Sequence, residues 1–194
     1  GDEYVIMYAP TARLFSLRTR CVIAAEEGLM LSKFDPKCAF VTAGIDTVRY
    51  VSIPGYPVPE GKAILLKKAR YGGSSSGALY KKDINKSLLY YGFTVNSVDP
   101  TLYRLEHRES AVLMSLYVDG GACATNDQFP VQLKEFLDAL SKKINLSDKK
   151  ELELHFGMHV EQVEAGTVRR SQSAQVDNVP ERFGMADCNA VATP

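Results

Sequence analysis

The chain has 194 residues, and 23 Lys and Arg residues balance 23 Asp and Glu residues, so its formal net charge is zero. Apolar residues make up 45% of the chain and charged residues 24%, which excludes a disordered or low-complexity protein. The length suits one domain, and no uncharged apolar run is long enough to span a membrane. A protein that wraps nucleic acid over most of its surface is also disfavoured, because such binding depends on an excess of Lys and Arg.

The charges are distributed unevenly along the chain. Between Lys62 and Lys86, seven basic residues stand against one acid, which gives this segment a local charge of +6. Between Asp127 and Glu164, five basic residues stand against eight acids, which gives a local charge of −3. The first segment favours an anionic ligand, and the alternative is that its lysines are simply solvated on helix surfaces.

The hydrophobic pattern predicts a mixture of helices and strands joined by hairpins. In the first half, the predicted elements are a helix at 16–27 with Ser16 as N-cap, a strand at 29–34, a proline-rich loop at 53–61, a short strand at 64–66 and a helix at 79–91. In the second half, they are a buried strand at 111–118, a hairpin turn at 119–121, a helix at 128–143, a half-buried strand at 152–160 and a strand at 167–172. The predicted fold class is α+β, an antiparallel sheet with helices on one face.

The cysteines and histidines do not have the spacing of a metal site. Cys21, Cys38, Cys123 and Cys188 form no Cys-x-x-Cys pair, and His155 and His159 are expected to share the solvent face of one strand. The cysteines are typical of small buried residues in a reducing compartment, although a disulfide stays open if the protein is secreted. The acidic N-terminus carries no visible secretion signal, so an intracellular location is favoured without being established.

Two carboxylates occupy positions where buried strands are predicted to end. Asp35 follows an apolar strand, and Asp119 lies at the tip of an apolar hairpin. Burying a carboxylate at such a position is unfavourable unless the carboxylate has a role such as binding a metal. If the two strands are neighbours, both acids could share Mg²⁺. The alternative is that both are turn residues, Asp35 before a proline and Asp119 before a glycine.

Several short motifs, each different from the others, follow one another along the chain. They lie at 34–40, 50–56, 71–72, 80–82, 92–93, 99–103, 116–119, 156–161, 182–188 and 193–194. This ordered set resembles the reverse transcriptases of copia-type retrotransposons. In that family the first carboxylate motif typically reads Leu-Asp-Val-Lys-Thr-Ala-Phe, where this chain has residues 34–40. Its Tyr-Val-Asp-Asp motif begins where this chain has Tyr117, Val118 and Asp119.

The resemblance implies a single reverse-transcriptase-like domain over residues 1–194. This domain would be a polymerase palm with part of the fingers, without the thumb and RNase H regions. Catalysis would use two Mg²⁺ ions held on three aspartates, of which Asp35 and Asp119 would be the first two. The motif frame would comprise Tyr71, Gly72, Tyr117 and Val118. The residues expected to contact an RNA or DNA template–primer are Lys67, Lys68, Arg70, Lys81 and Lys82.

The chain departs from the family pattern at three places. Gly120 stands where the family has its third metal-binding aspartate, and a Gly- and Ser-rich stretch at 73–78 replaces the Leu-Lys-Gln-x-Pro-Arg segment. Pro180 falls inside an expected helix, which it should distort or shorten. Mg²⁺ tolerates a missing ligand poorly, because it requires near-ideal octahedral geometry. We therefore predict a catalytically impaired domain that retains nucleic-acid binding.

Two other functions are left open by the sequence. One is an active RNA-directed DNA polymerase fragment that uses two Mg²⁺ ions despite Gly120. The other is a domesticated module that binds a protein partner, or acts as an effector, on a polymerase palm scaffold. Whether the chain is an enzyme is therefore undecided at the level of sequence.

Overall fold

The computed structural model describes residues 9–34, 38–107, 110–117, 120–126, 135, 138, 150–151, 154–155, 158–164 and 166–189. The helices are Leu14–Glu26 (α1), Ser76–Tyr90 (α2) and Ser173–Arg182 (α3), with a 3₁₀ helix at Ala39–Thr42. The first strands are Met30–Phe34 (β1), Tyr50–Val51 (β2), Ile64–Leu65 (β3), Thr94–Val95 (β4), Leu102–His107 (β5) and Ser110–Tyr117 (β6). The remaining strands are Gly120–Thr125 (β7), Lys150–Glu151 (β8), Leu154–His155 (β9), Met158–Glu164 (β10) and Thr167–Ser171 (β11). Within this described part, no helix has both the length and the apolar character needed to cross a membrane.

The main sheet is antiparallel and has six strands in the order β4-β5-β6-β7-β1-β8. Its centre is formed by β6 and β7, whose pairing runs from Leu113 opposite Ala124 to Tyr117 opposite Gly120. Neither strand contains a charged residue, as is typical of strands that are covered on both faces. The predicted α+β class is confirmed, as is the apolar strand over 111–117, and the antiparallel pairing of that strand with the segment after residue 119 is confirmed as well.

The two faces of this sheet carry different helices. Successive residues of a strand point to opposite faces, so Met114 and Leu113 belong to different cores. The core on one face joins α2 to β5 and β6 through Leu79, Ile84, Leu88, Tyr103, Val112, Met114 and Leu116. The core on the other face joins α1 to β1 and β7 through Leu17, Cys21, Ala24, Leu31, Ala122 and Ala124. The prediction that the helices share one face is therefore wrong for α1 and α2.

A second sheet of three strands, in the order β11-β10-β9, packs against α1. Its buried residues Met158 and Val160 extend the core beneath that helix. The side-chain amide of Gln162 fastens this sheet to β1, because it donates to the Leu29 carbonyl at 2.8 Å and accepts from the Leu31 amide at 3.2 Å. The remaining sheet is the pair β2-β3.

The predicted single strand at 152–160 is also wrong. His155 pairs with Met158 and Leu154 with His159, so the chain reverses between β9 and β10. The two histidines consequently lie on different strands, and His159 is exposed. The break between the two strands could not be predicted, because the alternation of apolar and polar residues continues unchanged from β9 to β10.

The helix boundaries differ modestly from the predicted ones. Helix α1 begins at Leu14, so Ser16 lies inside the helix, and Arg13 occupies the N-cap position without a side-chain hydrogen bond. Helix α2 begins at Ser76. Pro180 lies inside α3, which ends two residues later at Arg182. The helix predicted at 128–143 falls mostly outside the described residues, although positions 135 and 138 are helical and exposed.

Candidate functional site

The sheet brings together the chain segments that flank the two predicted metal-binding aspartates. In the ladder between β1 and β7, Phe34 lies opposite Gly121. In the ladder between β6 and β7, Tyr117 lies opposite Gly120. Asp35 directly follows Phe34 in the chain, and residues 118–119 connect Tyr117 to Gly120. Residues 35–37 and 118–119 lie outside the described residues, so only the backbone on either side of them is placed, at one end of two adjacent strands.

Gly120 and Gly121 are strand residues, so the turn predicted at 119–121 is wrong for these two positions. Gly120 begins β7, and this position, predicted to correspond to the family's third aspartate, carries no side chain. Gly121 is needed for packing, because a Cβ atom built there would overlap the ring of the buried Phe34. In the described part of the chain, no three His, Cys, Asp or Glu side chains converge to hold a metal ion.

The basic residues at 67–70 are attached to the 3₁₀ helix that begins four residues after Asp35. The Ala69 amide donates to the Ala43 carbonyl at 2.9 Å, and Lys68 Nζ donates to the Thr42 carbonyl at 2.8 Å. Lys67, Lys68 and Arg70 are all exposed. The basic segment is therefore held against the 3₁₀ helix with its three cations exposed, and their role in nucleic-acid binding stays a prediction.

The motif-frame residues Tyr71 and Gly72 form the link between this basic segment and α2. The Tyr71 ring lies 4.9 Å from the Phe40 ring, and Phe40 also makes an edge-on contact with Tyr80 at 5.9 Å. Gly72 has φ +77°, a left-handed conformation that favours glycine. The Ser76 hydroxyl then closes the turn by donating to the Arg70 carbonyl at 2.6 Å.

The two lysines of α2 differ in their surroundings. Lys82 is exposed and lies 4.0 Å from Asp46. Lys81 is half-buried, lies 4.7 Å from the centre of the Tyr103 ring and donates to the Tyr103 hydroxyl at 2.8 Å. That hydroxyl in turn donates to Asn85 at 2.9 Å. Lys81 thus connects α2 to β5, and its ammonium is less accessible to a phosphate than that of Lys82.

Burial changes the acidity of both members of this contact. Burial lowers the pKa of Lys81 to about 8, while the charge of Asp99 opposes that shift. Burial likewise raises the pKa of Tyr103 to about 12. Both shifts favour the neutral form, as expected for ionisable groups removed from water.

Asp99 has a structural role that the sequence did not reveal. It is buried and accepts hydrogen bonds from the Ser16 hydroxyl at 2.5 Å, the Thr101 hydroxyl at 2.6 Å and the Thr101 amide at 3.0 Å. Burial alone would raise the pKa of Asp99, but the hydrogen bonds from Ser16, Thr101 and the Arg13 backbone outweigh it and hold the pKa below its usual value. The carboxylate therefore lies at the N-terminal turn of α1, where the helix dipole favours a negative charge.

Arg20 is a second buried polar residue that was not predicted from the sequence, and it is a candidate for a functional role. It lies on the buried side of α1, and Nη1 donates to Ser115 Oγ and, at 3.0 Å, to the Ala122 carbonyl. The spacing contained a signal, because Arg20 falls four residues after Ser16 and four before Ala24, on the buried stripe.

The cysteines divide into two buried and two exposed residues. Cys21 and Cys123 are buried, Cys38 and Cys188 are exposed, and these four residues, all within the described part, form no disulfide. Burial raises the pKa of the Cys21 thiol. The expected burial is therefore confirmed for Cys21 and Cys123 and is wrong for Cys38 and Cys188.

Comparison with known proteins identifies the family. The family model described as reverse transcriptase (RNA-dependent DNA polymerase) matches residues 1–194. The chain is 28% identical over 198 residues to the retrovirus-related Pol polyprotein from transposon RE1 of Arabidopsis thaliana, and 26% identical over 197 residues to that from transposon RE2. It is 24% identical over 201 residues to the Pol polyprotein from transposon TNT 1-94 of Nicotiana tabacum.

All three matches cover the whole chain but only a small part of each relative. The chain spans 13% of the RE1 and RE2 polyproteins and 15% of the TNT 1-94 polyprotein. No solved structure matches it. The full-length family match and these relatives show that the chain belongs to the reverse transcriptase (RNA-dependent DNA polymerase) family, as a fragment of the copia type.

Proposed function

We propose that this chain is a reverse-transcriptase pseudoenzyme, a palm with part of the fingers that binds a template–primer but catalyses DNA synthesis poorly or not at all. The observation that carries the proposal is the meeting of β1 with the β6–β7 hairpin. Phe34 and Tyr117 both lie opposite adjacent glycines of β7, so the strand positions that flank Asp35 and Asp119 in the chain are at the same end of the sheet. Gly120, at the third aspartate position, contributes no ligand.

The loss of one carboxylate weakens metal binding in two ways. It removes oxygen ligands that Mg²⁺ requires for its octahedral shell, and it lowers the negative charge that attracts a divalent cation. Two metal ions must be held together to stabilise the attacking and leaving oxygens of phosphoryl transfer. Asp35 and Asp119 alone would hold a single Mg²⁺ at most, so we expect chemistry to fail before binding does.

Nucleic-acid binding would depend on the basic segment next to this site. Lys67, Lys68 and Arg70 are exposed, and their backbone is held by the contacts to Thr42 and Ala43. Cations that neutralise phosphates release counterions, which makes binding salt-dependent. Lys82 would contribute from α2, whereas Lys81 would contribute less, because its ammonium is already bonded to Tyr103.

The binding proposal is tested by the salt dependence of affinity for a labelled RNA–DNA duplex. The variant Lys67→Gln/Lys68→Gln/Arg70→Gln should bind at least tenfold more weakly at low salt. Its plot of log affinity against log salt should be shallower by about 2 to 3 units, since each phosphate contact contributes about 0.9 or less. The control Arg18→Gln/Arg170→Gln/Arg182→Gln removes three exposed cations elsewhere, on α1, β11 and α3.

Two results would contradict the binding proposal. One is an equal loss of affinity in both triple variants, which would show a dependence on net charge alone. The other is an unaltered chain that binds no duplex at low salt. If that chain instead captured a defined protein partner, the domesticated interaction module would be the better account.

A further inference from the structure

Helix α1 places a buried arginine beneath the hairpin that leads to Asp119. Arg20 is only 3% exposed, and its Nη1 atom bonds to Ser115 on β6 and to the Ala122 carbonyl on β7. Ser115 and Ala122 lie directly opposite each other in the ladder. One guanidinium nitrogen therefore bridges the two strands of the hairpin.

This bridge lies close to the connection at residues 118–119. Counting back from that connection, Tyr117 with Gly120 is the first pair, Leu116 with Gly121 the second, and the bridged pair the third. On the opposite face of the sheet, the Phe34 ring covers Gly121. The end of the hairpin is thus held from both faces, by an aromatic ring on one side and a guanidinium on the other.

Arg20 is a costly residue for this position. Its Nε and Nη2 atoms have no hydrogen-bond partner in the described part of the chain. Transferring a charge out of water without full compensation is unfavourable, and apolar residues of similar size often replace buried ionic groups without loss of stability. The presence of an arginine at this position is therefore explained by its contact with two facing strands and not by a gain in stability.

We infer that Arg20 is a positioning residue, which fixes the end of the β6–β7 hairpin at Tyr117 and Gly120, the strand positions next to which Asp119 lies in the chain. This inference rests on the proposed role of Asp119 in metal binding. Arg20 itself touches neither metal nor nucleic acid in this account. Its contribution is to limit opening of the strand pair at the hairpin end.

The test uses local hydrogen exchange at the amides of residues 115, 117, 120 and 122, which face the other strand of the hairpin, whereas the Leu116 amide donates to Thr101 on the β5 side. In Arg20→Met, exchange at these amides should be about tenfold faster while the global midpoint of unfolding is unchanged or higher. Arg20→Lys keeps a charged donor at this position and should restore at least half of the lost protection. Arg18→Met, an exposed arginine on the same helix, should change neither quantity.

The inference is overturned if exchange in Arg20→Met matches the unaltered chain, or accelerates only as much as global stability falls. If Arg20→Met does not fold, Ser115→Ala removes one of the two acceptors. That variant should still show selective acceleration at the same four amides, and uniform exchange in it would equally overturn the inference.

Binding of Mn²⁺ alone, followed by water-proton relaxation, separates this inference from the proposed function. Arg20→Met should bind Mn²⁺ about fivefold more weakly than the unaltered chain. Faster exchange with unchanged Mn²⁺ affinity would overturn the link to Asp119. If the unaltered chain binds no Mn²⁺, the proposed metal site fails, and the exchange data alone decide whether Arg20 positions the hairpin.

Discussion

Phe34 packs its ring directly onto Gly121, the residue opposite it in the ladder between β1 and β7. This contact joins the strand that precedes Asp35 to the strand that follows Asp119. It leaves no room for a side chain at position 121, so the glycine is required by packing and not by backbone conformation. The closeness of β1 and β7 at this end of the sheet depends on it.

Gly121→Ala should therefore destabilise the protein. The added methyl group overlaps the Phe34 ring, which must leave its buried position at a cost of about 1 to 3 kcal/mol in the free energy of unfolding. Urea denaturation measures this change. Gly44→Ala is the control, since a Cβ atom there meets nothing within 4 Å. Equal stability of the two variants would show that the ring moves aside freely.

Gly120→Asp should strengthen binding of divalent cations. A third carboxylate adds ligand oxygens and negative charge to the proposed metal site, so we expect the affinity for Mn²⁺ to rise about tenfold. Titration calorimetry measures the change. Asn178→Asp adds the same charge on the exposed face of α3 and should leave the affinity unaltered. A similar gain in both variants would indicate non-specific attraction.

Asp99→Ala should be among the most destabilising changes to a polar residue. It leaves the Ser16 hydroxyl and both Thr101 donors without their acceptor in a buried place, which costs about 2 to 4 kcal/mol. Asp46→Asn, which affects only an exposed ion pair, should cost less than about 0.5 kcal/mol. Thermal and urea unfolding at pH 7 provide the comparison, and similar losses in both variants would exclude the buried network as a source of stability.

The lowered pKa of Asp99 predicts how the stability of the fold depends on pH in the acidic range. Because its pKa is lower in the folded state than in the unfolded state, ionised Asp99 stabilises the fold above the unfolded value of about 4. That contribution is lost as the pH falls below about 4 towards the folded pKa. The unaltered chain should consequently lose stability more steeply below pH 4 than Asp99→Asn. Parallel curves for the two proteins would contradict this assignment.

The shifted pKa values of Lys81 and Tyr103 predict opposite changes in stability at alkaline pH. The folded chain releases the Lys81 proton near pH 8 but the unfolded chain only near 10.5, so stability should rise between these values, by about 1 kcal/mol given partial exposure. Tyr103 keeps its proton to about pH 12 when folded, so its effect is a loss of stability above pH 10. Lys81→Met should abolish the rise and Tyr103→Phe the loss, whereas Lys82→Met should alter neither. A rise that persists in Lys81→Met would disprove the assignment.

Strands and hairpins could be predicted from the sequence because they depend on local patterns. The apolar run of β6, the glycines that follow Asp119 and the family motifs all lie within short segments. Two short strands with one continuous alternation were not separable, which is why β9 and β10 were taken as a single strand. The placement of α1 and α2 on opposite faces was not predictable either, since it depends on how strands pair over long distances.

The buried polar residues were missed for the same reason. Asp99 lies 83 residues from Ser16, and Arg20 lies 95 residues from Ser115, so neither partnership has a local signature. The basic residues that were predicted to contact nucleic acid differ in their surroundings in the structure. Lys67, Lys68 and Arg70 share one exposed segment, while Lys81 is bonded to a core tyrosine.

The central claim is that Gly120 leaves the chain unable to complete the metal-dependent chemistry of its family. Primer extension on an RNA template with a DNA primer, in Mg²⁺ and in Mn²⁺, tests this claim most directly. We predict that the unaltered chain extends the primer no further than Asp35→Asn does, although both bind the duplex. Extension by the unaltered chain that disappears in Asp35→Asn would contradict the account and establish an active polymerase fragment.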